Sequence, residues 1–239
     1  MDAKEKLVSL LKNSERAVFF GGAGTSTASG IPDFRSSGGI FSRDFNGALS
    51  PEEIVSANFF YSHTVEFYDF YKKKMLFPDA RPNRAHVKLA ELEKQGVIKA
   101  IVTQNIDGLH QAAGSKNVLE LHGSAHRNRC LSCGKNFDLH YVYSSQGIPR
   151  CDECGGIIKP DVVLYGEALP DDVVEASIRV IAEADLLIVG GTSLSVYPAA
   201  SFAYAFRGSR LVVINRTPIG ADSMAELIIR DDIAEVFDF

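Results

Sequence analysis

Positive charge is scarce in this chain: 25 Lys and Arg stand against 30 Asp and Glu, a formal net charge of -5. Without a basic footprint, no nucleic-acid partner is expected. Long apolar runs are lacking as well. None approaches the ~20 uncharged residues that cross a bilayer, so no membrane association is expected. The start, Met1-Asp2-Ala3-Lys4-Glu5-Lys6, alternates charge and lacks the basic-then-apolar layout of a secretory signal. A cytoplasmic protein is the expectation. Cysteine is sparse, with 4 in 239 residues. A chain this long buries roughly three quarters of its unfolded surface and needs no disulfide framework. Internal repeats and low-complexity tracts are absent. A content of 46% hydrophobic and 23% charged residues argues against collagen, coiled coil and disorder.

What the chain does hold is a rhythm of short apolar runs: Ala17–Phe20, Val97–Val102, Val118–Leu121, Val162–Tyr165, Leu186–Val189 and Leu211–Ile214. Each has the length of a buried strand. Helical spacing is found at residues 3–13 (Leu7, Leu10, Leu11), Ala85–Gln95 and Asp171–Ala184. Buried strands alternating with helices predict an α/β fold with a parallel sheet covered on both faces. Two segments break the rhythm. Residues 36–80 carry a Pro-led helix start at Pro51 and an aromatic stretch from Phe59 to Tyr71, and residues 124–159 carry every cysteine. Both are read as excursions that together form a smaller second lobe.

Cys130-Leu131-Ser132-Cys133 is followed, after 17 residues, by Cys151-Asp152-Glu153-Cys154. Each two-residue gap lets a tight turn aim two thiolates at one point, and two such turns complete a tetrahedron that suits zinc. Two disulfides would be the competing reading, but a reducing compartment disfavours them. Four thiolates leave no open position for water, so this zinc is expected to be structural.

Gly22-Ala23-Gly24-Thr25-Ser26 follows the first strand and precedes an expected helix, where a dinucleotide fold places its phosphate turn. Thr27 replaces the third glycine of the usual fingerprint, and no acidic strand end follows about 20 residues later. An ordinary dehydrogenase is disfavoured. Alone, the turn fits nucleotide binding and a plain tight turn equally. Gly30-Ile31-Pro32-Asp33-Phe34-Arg35 then sets an acid, a ring and a guanidinium beside it, with Pro32 stopping any helix. Other strands end in Thr103-Gln104-Asn105-Ile106-Asp107-Gly108-Leu109-His110, Leu121-His122-Gly123, Gly190-Gly191-Thr192-Ser193-Leu194 and Asn215-Arg216-Thr217. A lone His after a strand is more often structural than catalytic. The convergence of several polar strand ends on one sheet rim favours a ligand.

These motifs, in this order and spacing, resemble the sirtuins, NAD-dependent protein lysine deacylases, and in particular their compact bacterial members. The matching pieces are GAGTS at 22–26, GIPDFR at 30–35, TQNIDGLH at 103–110, LHG at 121–123, the paired CxxC, VVLYGE at 162–167 and GTSLSVYPAA at 191–200. They span essentially residues 15–235. The resemblance implies a Rossmann-like large domain of residues 1–35, 81–123 and 160–239. Its small domain would combine a helical insertion, 36–80, with a zinc module, 124–159. NAD and an acyl-lysine peptide would enter the cleft between them. Gly22, Ala23, Ser26, Thr27, Asp33, Phe34 and Arg35 would line the phosphates and nicotinamide ribose. Gln104, Asn105, Ile106, Asp107 and His122 would flank the nicotinamide. Thr192, Ser193, Asn215 and Asp232 would hold the adenosine half. Val163, Leu164, Tyr165, Gly166 and Glu167 would pair with the extended peptide.

In the family's chemistry the acyl oxygen attacks the anomeric carbon as nicotinamide leaves. His122 then acts as general base on a ribose hydroxyl, with Asn105 and Asp107 as its catalytic companions. The products are free lysine and O-acyl-ADP-ribose. Rival readings are a mono-ADP-ribosyltransferase on the same fold and a non-catalytic zinc-ribbon interaction module. Family members that prefer succinyl-lysine carry a Tyr-x-x-Arg pair in the helical insertion. Here Tyr68 matches the tyrosine and Tyr71 stands at the arginine position, so acidic acyl groups are expected to be poor substrates.

Overall fold

The computed structural model describes residues 2–34, 39 and 49–239. Strands are β1 Ala17–Gly21, β2 Ile98–Thr103, β3 Val118–Glu120, β4 Gly123–Cys130, β5 Asn136–Phe137, β6 Ile158–Val162, β7 Leu186–Gly190, β8 Arg210–Ile214 and β9 Leu227–Ile229. Six of them form one sheet in the order β3-β2-β1-β7-β8-β9, parallel at every pairing. All five residues of β1 and of β7 are buried, as strands covered on both faces must be. Apolar side chains on one face meet the helices Ala3–Lys12 and Arg84–Lys94, through Leu7, Leu11, Ala85 and Leu89. On the other face, Val18, Phe20, Val189 and Val213 pack with Ile181 of the helix Asp171–Glu183. This is the α/β, Rossmann-like architecture anticipated above.

From β1 the chain builds outward to β2 and β3, then returns to place β7, β8 and β9 on the other side. The direction of winding therefore reverses between β1 and β7, and a crevice opens at the carboxyl ends of these two strands. Their turns almost touch. Gly24 N–H donates to Gly191 O at 2.8 Å, and a Cβ on Gly24 would stand 2.8 Å from Gly191 Cα. Gly191 itself has φ 59°, in the left-handed region.

The remaining strands form an antiparallel sheet, β5-β4-β6. It shares an apolar cluster with the helices Pro51–Ile54, Ala57–Ser62 and Thr64–Phe70: Phe60, Phe67, Tyr68 and Tyr71 pack with Leu139, Val142 and Ile158. Among the described residues no helix is long and apolar enough to cross a membrane.

Two local expectations need correction. The run Val162–Tyr165 is not a strand: β6 ends at Val162, and the chain beyond it turns back as Glu167 N–H donates to Leu164 O at 2.9 Å. No regular helix follows the glycine turn either. Ala23–Thr25 and Thr27–Ser29 are single 3-10 turns, ended by Gly30 at φ 83° ahead of Pro32.

Candidate functional site

At the crevice, the turn after β1 meets the loop after β2. Ser26 Oγ donates to Asp107 Oδ2 at 2.6 Å and accepts from Asn105 Nδ2 at 3.0 Å. Thr103 Oγ1 holds the Asn105 N–H at 3.1 Å, and Asp107 Oδ1 accepts the Leu109 N–H at 2.9 Å. Serine, amide and carboxylate are thus locked in one fixed arrangement. His86, buried on the helix Arg84–Lys94, lies beneath them. Asn83 N–H donates to its Nδ1 at 3.3 Å, so its Nε2 carries the proton, 3.5 Å from Ser26 Oγ. Burial pushes the His86 pKa down to about 4, partly opposed by the Asp107 charge. His110 packs edge-on at 4.7 Å from His86, and burial takes its pKa to about 3.

His122 follows β3. Its Nδ1 lies 2.8 Å from Gln104 O, and a carbonyl can only accept, so Nδ1 is the protonated nitrogen and Nε2 keeps its lone pair. Burial lowers the pKa of this imidazole, while the Gln104 carbonyl opposes the shift. Gln104 is anchored in turn, its N–H donating to Gly21 O at 3.0 Å and its Oε1 accepting from Thr192 Oγ1 at 2.9 Å.

Two cavities meet at this point, sharing Ala23, Phe34, Gln104, Asn105 and His122. One is a groove of about 670 Å³ running over Gly24, Thr27, Asp33, Thr192, Ser193, Asn215 and Asp232. Its lining, rich in glycine, hydroxyls and polar side chains, suits a long polar ligand. The other, of about 210 Å³, is bounded by Val55, Tyr71, Met75, Ile106, Leu139 and Leu164 and suits an apolar chain. Ser26, Ile106 and Asp107 line the second cavity only, as do Val163, Leu164, Tyr165, Gly166 and Glu167. Gly22 lies behind the groove, where a Cβ would meet Thr192 at 2.8 Å. Asp232 caps the helix Ile233–Val236 and pairs with Arg216. Arg35 lies outside the described residues. His86 and Asn83 were not singled out from the sequence, and His110 entered only as the last residue of the Thr103–His110 run, without a role. The signal was there, a His on the buried stripe of a helix with an Asn at its N-cap.

The segment expected to bind peptide already spends most of its main-chain donors. Val163 N–H bonds His122 O, Leu164 N–H bonds Glu167 Oε2 and Tyr165 N–H bonds Val55 O. Among the described residues, Gly166 N–H remains for a docked strand.

The four cysteine sulfurs lie within 4.8 Å of one another. Cys130 and Cys154 are 3.4 Å apart, and Cys133 and Cys151 are 3.6 Å apart, far beyond a disulfide. Thiolates at ~2.3 Å from a tetrahedral zinc would stand ~3.8 Å from one another. Both knuckles have the same form: Gly134 N–H donates to Cys130 O at 3.0 Å and Gly155 N–H to Cys151 O at 2.9 Å. Lys135 clips one knuckle to the other through Asp152 and Glu153, at 2.8 Å each. The donor set fits one structural zinc.

Comparison with known proteins gives a consistent picture. The Sir2 family model matches residues 22–198. A protein of Clostridium acetobutylicum called NAD-dependent protein deacetylase is 54% identical over 239 residues, covering 100% of this chain and 98% of its own length. One of the same name from Clostridium perfringens is 55% identical over 238 residues, covering 99% and 98%. Among solved structures, a Sir2 protein with deacetylated p53 peptide and 3'-O-acetyl-ADP-ribose superposes with a TM-score of 0.89 at 40% identity, covering 99% of this chain and 96% of that one. A Sir2–p53 peptide–NAD+ structure gives 0.85 at 41% identity, with the same coverage.

Proposed function

This chain belongs to the Sir2 family, and from that membership we infer that it is an NAD-dependent protein lysine deacetylase. It transfers the acyl group of acyl-lysine to ADP-ribose with release of nicotinamide. NAD, when bound, supplies the ribose that accepts the acyl group; the rest is the work of this chain's own residues. The observation that carries the reading is the His122 tautomer. Its Nδ1–H is held by the Gln104 carbonyl, so Nε2 is left as a proton acceptor at the junction of the polar groove and the apolar cavity. We assign it the role of general base toward a ribose hydroxyl. Asn105 and Asp107, fixed through Ser26, orient the nicotinamide and ribose end, and Phe34 shields the reacting carbon from water. Thr192, Ser193, Asn215 and Asp232 face the adenosine half. Acyl-lysine peptides are the partners, docking against residues 163–167. The lobe division stated from the sequence is part of this proposal, supported by the separate apolar clusters of the two sheets. Incubation with NAD and an acetylated peptide, followed by mass spectrometry, tests the reading. O-acetyl-ADP-ribose supports it; an ADP-ribosylated protein with the acetyl group still in place would replace it with the transferase reading.

Acyl preference follows from the apolar cavity. The Tyr68 hydroxyl is committed to the Ile158 carbonyl. Lys72, the nearest cation in sequence, spends its ammonium on Ser145 O, Ser145 Oγ and Gly147 O at 2.6, 2.7 and 2.8 Å. Among the described residues, the cavity wall holds the acids Asp107 and Glu167 and no Lys or Arg. A buried acyl carboxylate would lack its cation, at a cost of several kcal/mol. We therefore expect kcat/KM for succinyl-lysine to be at least about 100-fold below that for acetyl-lysine on the same peptide. A preference for succinyl would refute this.

A further inference from the structure

The loop that carries Asn105, Ile106 and Asp107 is held from two sides. Ser26 Oγ and the Leu109 N–H fix the Asp107 carboxylate. The backbone of the same loop is fixed from the antiparallel sheet. Ala125 N–H donates to Ile106 O at 2.9 Å, and His126 Nε2 lies 2.9 Å from Asp107 O. A carbonyl can only accept, so Nε2 carries the proton. Both donors come from a bulge in β4. Its register with β6 jumps from Ser124↔Asp161 to Asn128↔Pro160, which leaves Ala125, His126 and Arg127 without partners in that ladder. Ala125 and His126 bond the loop after β2 instead.

The first of these bonds is donated by backbone, so any residue but proline at 125 would supply it. The second belongs to the imidazole alone. Gly108 makes room for that ring, because a Cβ there would stand 2.7 Å from His126 Cδ2. His126 lines neither the polar groove nor the apolar cavity, so it acts through the loop and not on a ligand directly. We propose that His126 is a positioning residue: by holding the Asp107 carbonyl it sets where Ile106 and Asp107 meet the nicotinamide end of NAD. This proposal rests on the deacylase reading above.

The test measures binding rather than turnover. A carbocyclic NAD analogue, which cannot release nicotinamide, and ADP-ribose, which lacks it, are titrated by calorimetry in the presence of one acetyl-lysine peptide. Three proteins are compared: the parent, His126→Leu, which keeps the bulk without the donor, and His126→Gln, whose terminal amide carries an N–H at similar reach. The Kd of the analogue should rise about three- to tenfold in His126→Leu, the scale of one neutral hydrogen bond, while that of ADP-ribose stays at the parent value. His126→Gln should restore most of the loss. A histidine that only supported the fold would weaken both nucleotides together and would not be replaced by the amide. An unchanged analogue Kd in His126→Leu, an equal loss for both ligands, or a His126→Gln no better than His126→Leu would each overturn the proposal. A parent that binds neither nucleotide rejects the deacylase reading itself, and the proposal with it.

Discussion

Replacing His122 by Ala should lower deacylation by roughly 100-fold or more, the scale of general-base loss. The substitution removes one ring held by a single hydrogen bond to a backbone carbonyl, and leaves Ser26, Asn105 and Asp107 anchored to one another. The substitution alters the groove only at its junction with the apolar cavity and leaves Thr27, Thr192 and Asn215 in place, so NAD binding should persist. Isotope exchange between nicotinamide and NAD should persist too, because the base is called on only after nicotinamide departs. The pH profile offers a second check. A base must be neutral to work, and burial lowers this imidazole's pKa from 6.5. The acid limb of kcat/KM should therefore lie below 6.5 and vanish in the variant. Deacylation at the parent rate would show that another group is the base.

Loss of Cys130 or Cys151, each replaced by Ala, should release zinc and unfold the smaller lobe. Both cysteines are buried in the apolar cluster that joins the antiparallel sheet to the helices of residues 51–70. That cluster includes Val55, Tyr71, Leu139 and Leu164, which also wall the apolar cavity. Four-thiolate zinc contributes to folding directly, with apparent binding free energies of order 10 kcal/mol. Activity should fall as a consequence of the lost cavity wall. Metal analysis, a melting curve and a deacylation assay decide the matter together: a zinc-free variant with unchanged melting and activity would remove the structural role.

The parallel sheet was legible because its strands are buried on both faces and so read as unbroken apolar runs; Ala17–Phe20 and Leu186–Val189 each gain only a terminal glycine. β4 was not legible. Gly123–Cys130 contains His126, Arg127, Asn128 and Arg129, whose solvent and hydrogen-bonding roles obscure any alternation. Strand β6 was displaced in the reading because Lys159, Pro160 and Asp161 interrupt it, while the apolar Leu164 beyond it is buried in the cluster of the antiparallel sheet without belonging to a strand. The polar strand ends gave the candidate site. What sequence spacing could not give was the layer below it, since His86 and Ser26 stand 60 positions apart in the sequence.

That buried layer of imidazoles ties the molecule's survival to proton activity. His86 and His110 have pKa values near 4 and 3 in the folded chain against 6.5 for a free side chain. Above 6.5 neither state binds a proton at these positions and they do not bias folding. As acidity rises past 6.5 the unfolded chain takes up protons that the folded chain refuses, and stability is lost until the folded values are reached. Each pKa unit is worth about 1.4 kcal/mol, so a mildly acidic medium draws on the fold well before the carboxylates titrate. Denaturant midpoints measured between pH 7 and 5 should decline accordingly, and a flat series would mean that these rings gain partners when protonated.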